Sequence, residues 1–401
     1  MKILQINKFL YNMGGAETYM FKLSEALTEL GHNVKFWGMK HPKNLIEDEF
    51  DCFADRIEFN ELSAIQKITA TYDTVYSTKN IKKISHFLDQ WTPDIVHLHN
   101  YNFQLTPSVL KEFSKRNIRV VQTIHDSQMV CPYHRLYNFQ KESTCTKCVE
   151  GSFSNCIKDR CFDNSLLKST VGAVESYLYH GKDYYNKHID YYISPSQFLK
   201  NLVGKRVHKP IDVIPNFVDV LLDQNTLKSN KESYYLYYGR VSKEKGIIDI
   251  IPLFEKLKLK LYIVGNGDEV AEIKQSEYIT YLGPKYGEEL FPIIANAKYV
   301  IQPSKWFENC PMTIVESFSL GVPVIGANHS GFMELIQDGK TGFILDFTSK
   351  EKLEEELLRV DRLYKQDLRQ QALSFYVEVL SKQKHLNKVL KIYESLLANK
   401  A

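Results

Sequence analysis

The sequence predicts an α/β protein made of two doubly wound domains on parallel sheets. Three observations carry this. Short apolar strands alternate with helical patterns almost from end to end, the rhythm of parallel sheets covered on both faces. The rhythm occurs twice, with a polar stretch between the two sets. And 401 residues exceed what one ordinary core organises.

In the first set the strands read KILQI (2–6), VKFWG (34–38), DIVHLH (94–99), RVVQTI (119–124), YYIS (191–194) and DVI (212–214). After the first of them, Ala16, Tyr19, Met20, Leu23, Ala26, Leu27 and Leu30 recur at helical spacing. A helix with one buried face is therefore expected over 16–30, with Gly31 as its C-cap. The segment 130–165 is polar, cysteine-rich and without period, so it reads as an inserted loop. Pro215-Asn216 and the polar stretch to Ser233 read as a hinge. The second set reads YYLYYG (234–239), KLYIVG (260–265), ITYLG (279–283), KYVIQP (298–303), VPVIG (322–326) and GFILD (342–346). The tail from Leu368 is helical in pattern and has no strand after it. The expected division is 1–216, 217–375 and a terminal helical segment, 376–401.

Composition excludes several classes. The chain is 44% hydrophobic and 25% charged, with net charge +3, too mild to call for nucleic acid. No apolar run approaches the roughly 18–20 residues of a membrane span. The N-terminus, MKILQINKF, has a strand pattern and not that of a secretory signal, so a cytoplasmic protein is expected. In that compartment its seven cysteines are thiols or metal ligands before they are disulfides. No GxGxxG follows a strand with an acid about 20 residues on, which argues against a nicotinamide dehydrogenase.

The most informative stretch is QPSKWFENCPMTIVESFSLGVP, 302–323. Pro311 stands where a first helical residue is expected, since its missing N–H has no partner there anyway. Gly321 stops the helix and Val322-Pro323 opens the next strand. Glu308 then lies on the loop before the helix and Glu316 on its second turn. Beside Cys310 and Pro311, the N–H groups of Met312 and Thr313 point out between the two acids, a ready anion site. Two carboxylates flanking a phosphate cradle are electrostatically odd. They make sense when they hold neutral hydroxyls at either end of a ligand whose middle is a diphosphate, as in a sugar nucleotide.

Other candidates fall at strand ends, where ligands of open parallel sheets bind. Gly14, Gly15 and Glu17 open the first helix; a tight turn is the alternative reading. His125-Asp126 follow RVVQTI, where a histidine facing a cleft takes a sugar hydroxyl and a packed histidine does not. Gly239-Arg240 follow YYLYY, with Lys243 and Lys245 next. Arg240 and Lys245 suit a diphosphate clamp, against the alternative of a solvated basic turn. Gly265 and Gly267 are glycine turns that either read a base edge or simply turn. Cys145, Cys148, Cys156 and Cys161 read C-x2-C-x7-C-x4-C, which leaves open a structural zinc site, free thiols or disulfides.

Taken in order, GGAE (14–17), HD (125–126), PNFVD (215–219), GR-x4-KG (239–246) and E-x7-E (308–316) resemble glycosyltransferase family 4 over nearly the whole chain. The resemblance implies the GT-B fold, two Rossmann-like domains facing across a cleft. It implies sugar transfer from a nucleotide donor with retention and no catalytic metal. The donor, taken as a UDP-sugar read by loops 265–267 and 283–286, is held by the C-terminal domain. The acceptor, a saccharide or lipid-linked saccharide of surface-polysaccharide synthesis, is held by the N-terminal one. The last helix is implied to cross back to the N-terminal domain. Carried over residue by residue, Arg240 and Lys245 neutralise the diphosphate, Glu316 binds the ribose hydroxyls and Glu308 positions the donor sugar. His125 lies near the reacting sugar, and Gly15 meets the diphosphate. Phe217, Cys310 and Pro311 depart from the family's usual residues but leave these charges in place. A lipid-linked acceptor implies visits to the inner face of the membrane, with the segment 165–190 as a contact or as an ordinary helix. A GT-B epimerase and a silent nucleotide-binding scaffold are the competing readings.

Overall fold

The computed structural model describes residues 1–58, 63–219 and 234–398; most of the expected hinge, from 220 to 233, lies outside them. The chain divides into two compact units, 1–140 with 145–214 and 386–401, and 141–144 with 215–385.

The first unit holds six parallel strands, β1 (Lys2–Ile6), β2 (Asn33–Trp37), β3 (Ile95–Leu98), β4 (Arg119–Thr123), β5 (Tyr191–Ser194) and β6 (Ile211–Val213), in the order β2-β1-β3-β4-β5-β6. Strands with helices on both faces have no solvent side, so their sequences run apolar without alternation; β3 is buried at all four positions. Helix α1 (Gly15–Glu29) buries Tyr19, Met20, Leu23, Ala26 and Leu27. Each of the larger side chains contributes about 1.5–3 kcal/mol of burial. Gly31, expected as the C-cap, stands one residue beyond it: Leu30 is the cap, and Gly31 takes the left-handed turn at φ +81°. From residue 386 the chain belongs to this unit, where the buried Tyr393 hydroxyl meets His97 Nδ1.

The second unit also has six parallel strands: β7 (Tyr234–Tyr238), β8 (Lys260–Val264), β9 (Ile279–Gly283), β10 (Tyr299–Gln302), β11 (Val324–Ala327) and β12 (Gly342–Leu345). Their order is β9-β8-β7-β10-β11-β12. Strand β7, YYLYY, is buried at every position. Four buried tyrosines are tolerable because each hydroxyl donates: Tyr234 to the Ile293 carbonyl, Tyr235 to Asp361, Tyr237 to the Arg240 carbonyl and Tyr238 to that of Thr313.

Each sheet reverses its winding direction once, between β1 and β3 in the first unit and between β7 and β10 in the second. In doubly wound sheets the crevice beyond the strand ends at such a point is where ligands bind.

Candidate functional site

In the second unit the chain leaves β7 through Gly239, at φ +143°, and runs through Arg240 into a short 3-10 turn, Lys243–Lys245, closed by Gly246 at φ +70°. A side chain on Gly246 would stand 2.5 Å from the Pro303 carbonyl oxygen, so the glycine lets this turn lie against the loop that leaves β10. The Lys305 N–H donates to the Glu244 carbonyl at 2.8 Å and stitches the two loops together.

That contact delivers Lys245 to Glu308. The Lys245 ammonium donates to Glu308 Oε1, which also accepts from Trp306 Nε1 at 2.7 Å and Ser304 Oγ at 3.2 Å. The Glu308 N–H is held by Ser330 Oγ at 3.0 Å. Burial alone would raise the Glu308 carboxyl; the charge and hydrogen bond of Lys245, with those of Trp306 and Ser304, outweigh it and hold the group ionised below its ordinary range. The Trp306 ring lies 5.0 Å from the Lys245 ammonium and 5.9 Å from the Arg240 guanidinium, so one indole sits beside both cations. Arg240 is half exposed and 3.6 Å from Glu244.

Helix α2 (Met312–Ser319) follows. Pro311 is its N-cap, with ψ 120°, and not its first residue as expected. The ring fixes φ before the helix begins and offers no capping oxygen, so the Met312 and Thr313 N–H groups lack intrahelical acceptors. Glu316 stands one turn in. Burial pushes its carboxyl up to about 7, and the opposing influence of the neighbouring Tyr238 hydroxyl does not offset it. Cys310, placed among the donor-binding residues by its position, has its side chain in the apolar core with Ile314 and Val315, and burial pushes its thiol up to about 12. Its carbonyl accepts from Asn216 Nδ2 at 3.3 Å. Gly265 and Gly267 have a local reason to be glycine: a Cβ would lie 1.8 Å from the Gly239 carbonyl oxygen in one case and 2.1 Å from that of Val241 in the other.

In the first unit, Asn7 follows β1. Its Nδ2 donates to Glu17 Oε1 at 3.0 Å and to the Phe9 carbonyl at 2.7 Å, and its Oδ1 accepts the Asn100 N–H. Glu17 is buried, which raises its pKa, and it faces inward onto Asn7. Glu17, expected as an acceptor-side carboxylate, thus also braces the loop after β1. Asp126 likewise accepts the Gln128 N–H at 2.9 Å, a local turn bond. Gly14 is extended (φ −168°), with only Glu17 Oε2 within 4 Å of an added Cβ, at 3.6 Å. Neither strain nor crowding requires glycine there.

His125 pairs through Nε2 with His99 Nδ1 at 2.9 Å, and His99 Nε2 meets Gln5 Oε1 at 2.7 Å. With Gln5 Oε1 accepting, His99 Nε2 donates, His99 Nδ1 accepts and His125 Nε2 donates, which leaves Nδ1 of His125 as its acceptor. Burial brings His125 down to about 4 and His99 well below its ordinary value, so both rings are neutral at pH 7.

Sequence reasoning missed Trp306, Ser304, Tyr238, His99 and Gln5. Trp306, two residues before Glu308, was the readable one. The cysteines at 145, 148, 156 and 161 are all unpaired thiols, and with Cys131 they line one small cavity.

Comparison with known proteins follows this geometry. The family described as Glycosyltransferase Family 4 matches residues 13–220, and that described as Glycosyl transferases group 1 matches 221–372. An uncharacterized 41.2 kDa protein in the cps region of Klebsiella pneumoniae is 31% identical over 30% of this chain and 34% of its own length. A GDP-mannose-dependent alpha-mannosyltransferase of Corynebacterium glutamicum is 23% identical over 66% of this chain and 58% of its own. The chain thus spans between about a third and three fifths of these relatives. Among solved structures, Anabaena HepE in complex with UDP-glucose superposes with a TM-score of 0.65 at 14% identity, covering 98% of this chain and 100% of that one. The paired sheets are those of the GT-B fold, and the chain belongs to glycosyltransferase family 4.

Proposed function

We propose that the protein moves a sugar, with retention of configuration, from a UDP-sugar to a saccharide or lipid-linked saccharide acceptor in cell-surface polysaccharide synthesis. The observation that carries this is the grouping of Lys245, Arg240 and Glu308 around Trp306 at the winding reversal of the second sheet, one loop from the uncapped start of α2. Breaking the bond between sugar and diphosphate develops negative charge on the leaving oxygen. Two cations and the N–H groups of Met312 and Thr313 stabilise it, the kind of fixed electrostatics that is usually the largest catalytic contribution. Glu308 Oε2, which takes none of the three bonds gathered on Oε1, is assigned to the donor-sugar hydroxyls, and Glu316 to the ribose. This resolves the oddity of acids beside a phosphate, since Glu308 is already neutralised by Lys245.

Glu308 is a poor nucleophile in this setting, because its charge is committed to Lys245. Same-face attack, with the leaving phosphate taking the acceptor's proton, is the route to retention that membership of glycosyltransferase family 4 implies. In the first unit, Gly14 and Gly15 leave the start of α1 open to close approach, and neutral His125 is assigned a place near the reacting sugar. UDP-glucose in the HepE complex supports a uridine donor, and the cps-region relative supports a surface saccharide as product.

The test is transfer from UDP-sugars and GDP-mannose to saccharide acceptors, with the product anomer read by NMR. Retention is expected. Lys245→Ala should lower kcat/KM by about 10²–10³ while leaving the circular dichroism unchanged. Transfer within tenfold of wild type in that variant defeats the assignment of Lys245. An inverted product defeats retention. A donor altered without any glycoside formed points to the epimerase reading.

A further inference from the structure

The functional reading does not use the cysteine-bearing segment. Five cysteines of the first unit, Cys131, Cys145, Cys148, Cys156 and Cys161, line a single cavity of about 10 Å³, room for one atom-sized occupant. Cys131, Cys148, Cys156 and Cys161 lie in mutual electrostatic range, every pair among them, and the Cys156 and Cys161 sulfurs share a hydrogen bond. Cys145 flanks Cys148.

A purely apolar role explains this poorly. The local core is small: Cys148, Phe153, Cys156 and Ala173 are its buried members, so half of it is thiol. The backbone N–H groups of Tyr133, Arg135 and Leu136 are directed at the Cys131 sulfur, in a turn where His134 and Leu136 both take positive φ. The Cys156 backbone similarly faces the Cys148 sulfur. The frame is braced from outside. Arg206 donates to the carbonyls of Cys148, Val149 and Gly151, with its guanidinium 4.2 Å from the Phe153 ring, and Lys147 pairs with Asp159 at 2.7 Å. Among the described residues no group of three or more His, Cys, Asp or Glu side chains is placed to hold a metal ion as it stands, so binding requires the sulfurs to turn. The thiols share the cavity, and a cysteine needs only one side-chain torsion to turn its sulfur inward.

We propose that Cys131, Cys148, Cys156 and Cys161 bind one zinc ion as a four-thiolate structural site, with Cys145 beside it as a thiol that does not ligate. On binding, four S–H protons pass to solvent, four S–Zn bonds form and nothing is oxidised. The site has no open position, so it staples the segment and takes no part in transfer. The set differs from the one the C-x2-C spacing suggests, by exchanging Cys145 for Cys131.

The experiment is metal analysis of the full-length protein purified under reducing conditions without chelator, with cobalt substitution of the same protein. About one zinc per chain is expected, with intense tetrahedral cobalt bands and a sulfur-to-cobalt charge-transfer band. Cys131→Ser should lose the metal, while Cys145→Ser and Cys310→Ser keep it. Should Cys131→Ser fail to fold, the wild-type cobalt spectrum decides alone. Less than about a tenth of an equivalent of zinc with no cobalt bands overturns the proposal. So does a mass showing disulfides, or metal retained by Cys131→Ser and lost by Cys145→Ser.

Discussion

Glu316 should make donor binding depend on pH. Its carboxyl stands near 7 because burial on α2 disfavours the charged form more than the Tyr238 hydroxyl stabilises it. An ionised carboxylate accepts from both ribose hydroxyls; a protonated one carries a hydrogen that competes for that space. Affinity should follow the ionised fraction, about a tenth at pH 6 and about nine tenths at pH 8. Kd for a sugar nucleotide should therefore fall about tenfold across that interval, a change of about 1.4 kcal/mol. UDP-glucose is the ligand to titrate by calorimetry, since its diphosphate is esterified at both ends and keeps its charge throughout. Glu316→Gln should flatten the profile. A wild-type Kd that is constant from pH 6 to 8, or tighter at pH 6, refutes both the assignment of Glu316 to the ribose and the reasoning from burial. Without ligand the sign reverses. The folded-state pKa lies above the unfolded one, so this group weakens the fold as pH rises from about 4.5 to 7. Glu316→Gln should then melt higher than wild type at pH 8 and level with it near pH 4.

Two further outcomes concern stability. Glu175 is fully buried, accepts only Asn102 Nδ2 at 3.0 Å among the described partners, and is pushed up to about 8 by burial. By the same sign, Glu175→Gln should stabilise urea unfolding by about 3 kcal/mol at pH 7 and by little near pH 4; parallel pH profiles for the two proteins would sink this. Gly265→Ala should cost well over the roughly 1–2 kcal/mol of a left-handed residue, because its Cβ meets the Gly239 carbonyl at 1.8 Å. Gly283→Ala, at φ +71° with open space around it, is the control; equal losses in Tm would show that crowding is not the cause.

The strands were legible because buried parallel strands read as apolar runs whatever lies around them. KILQI at 2–6, YYIS at 191–194 and ITYLG at 279–283 coincide with β1, β5 and β9, while the others shift by a residue or two at their ends. The acids and cations proposed for the site stand out for a different reason: they fall on the short loops and turns that leave β7 and β10 and on the helix that follows β10, segments that local order already places beyond the strand ends. What local order does not carry is which partner a side chain turns toward. Glu17, in the first turn of α1, and Asp126, just beyond β4, read like the same kind of residue, yet one faces Asn7 and the other its own turn. His125 is kept neutral by burial and is oriented by His99, just beyond β3, which is in turn held by Gln5 on β1. The same limit governs the cysteines. C-x2-C spacing is local and drew attention to Cys145, whereas Cys131 reaches the shared cavity through a turn 14 residues earlier in the chain. The charge pattern of the segment from 302 to 316 also reads differently in three dimensions. In the sequence, Glu308 and Glu316 look like a repelling pair beside a phosphate cradle. In the fold, Lys245 holds one of them ionised and burial carries the other to the edge of neutrality, so the loop presents far less negative charge to a diphosphate than its two carboxylates suggest.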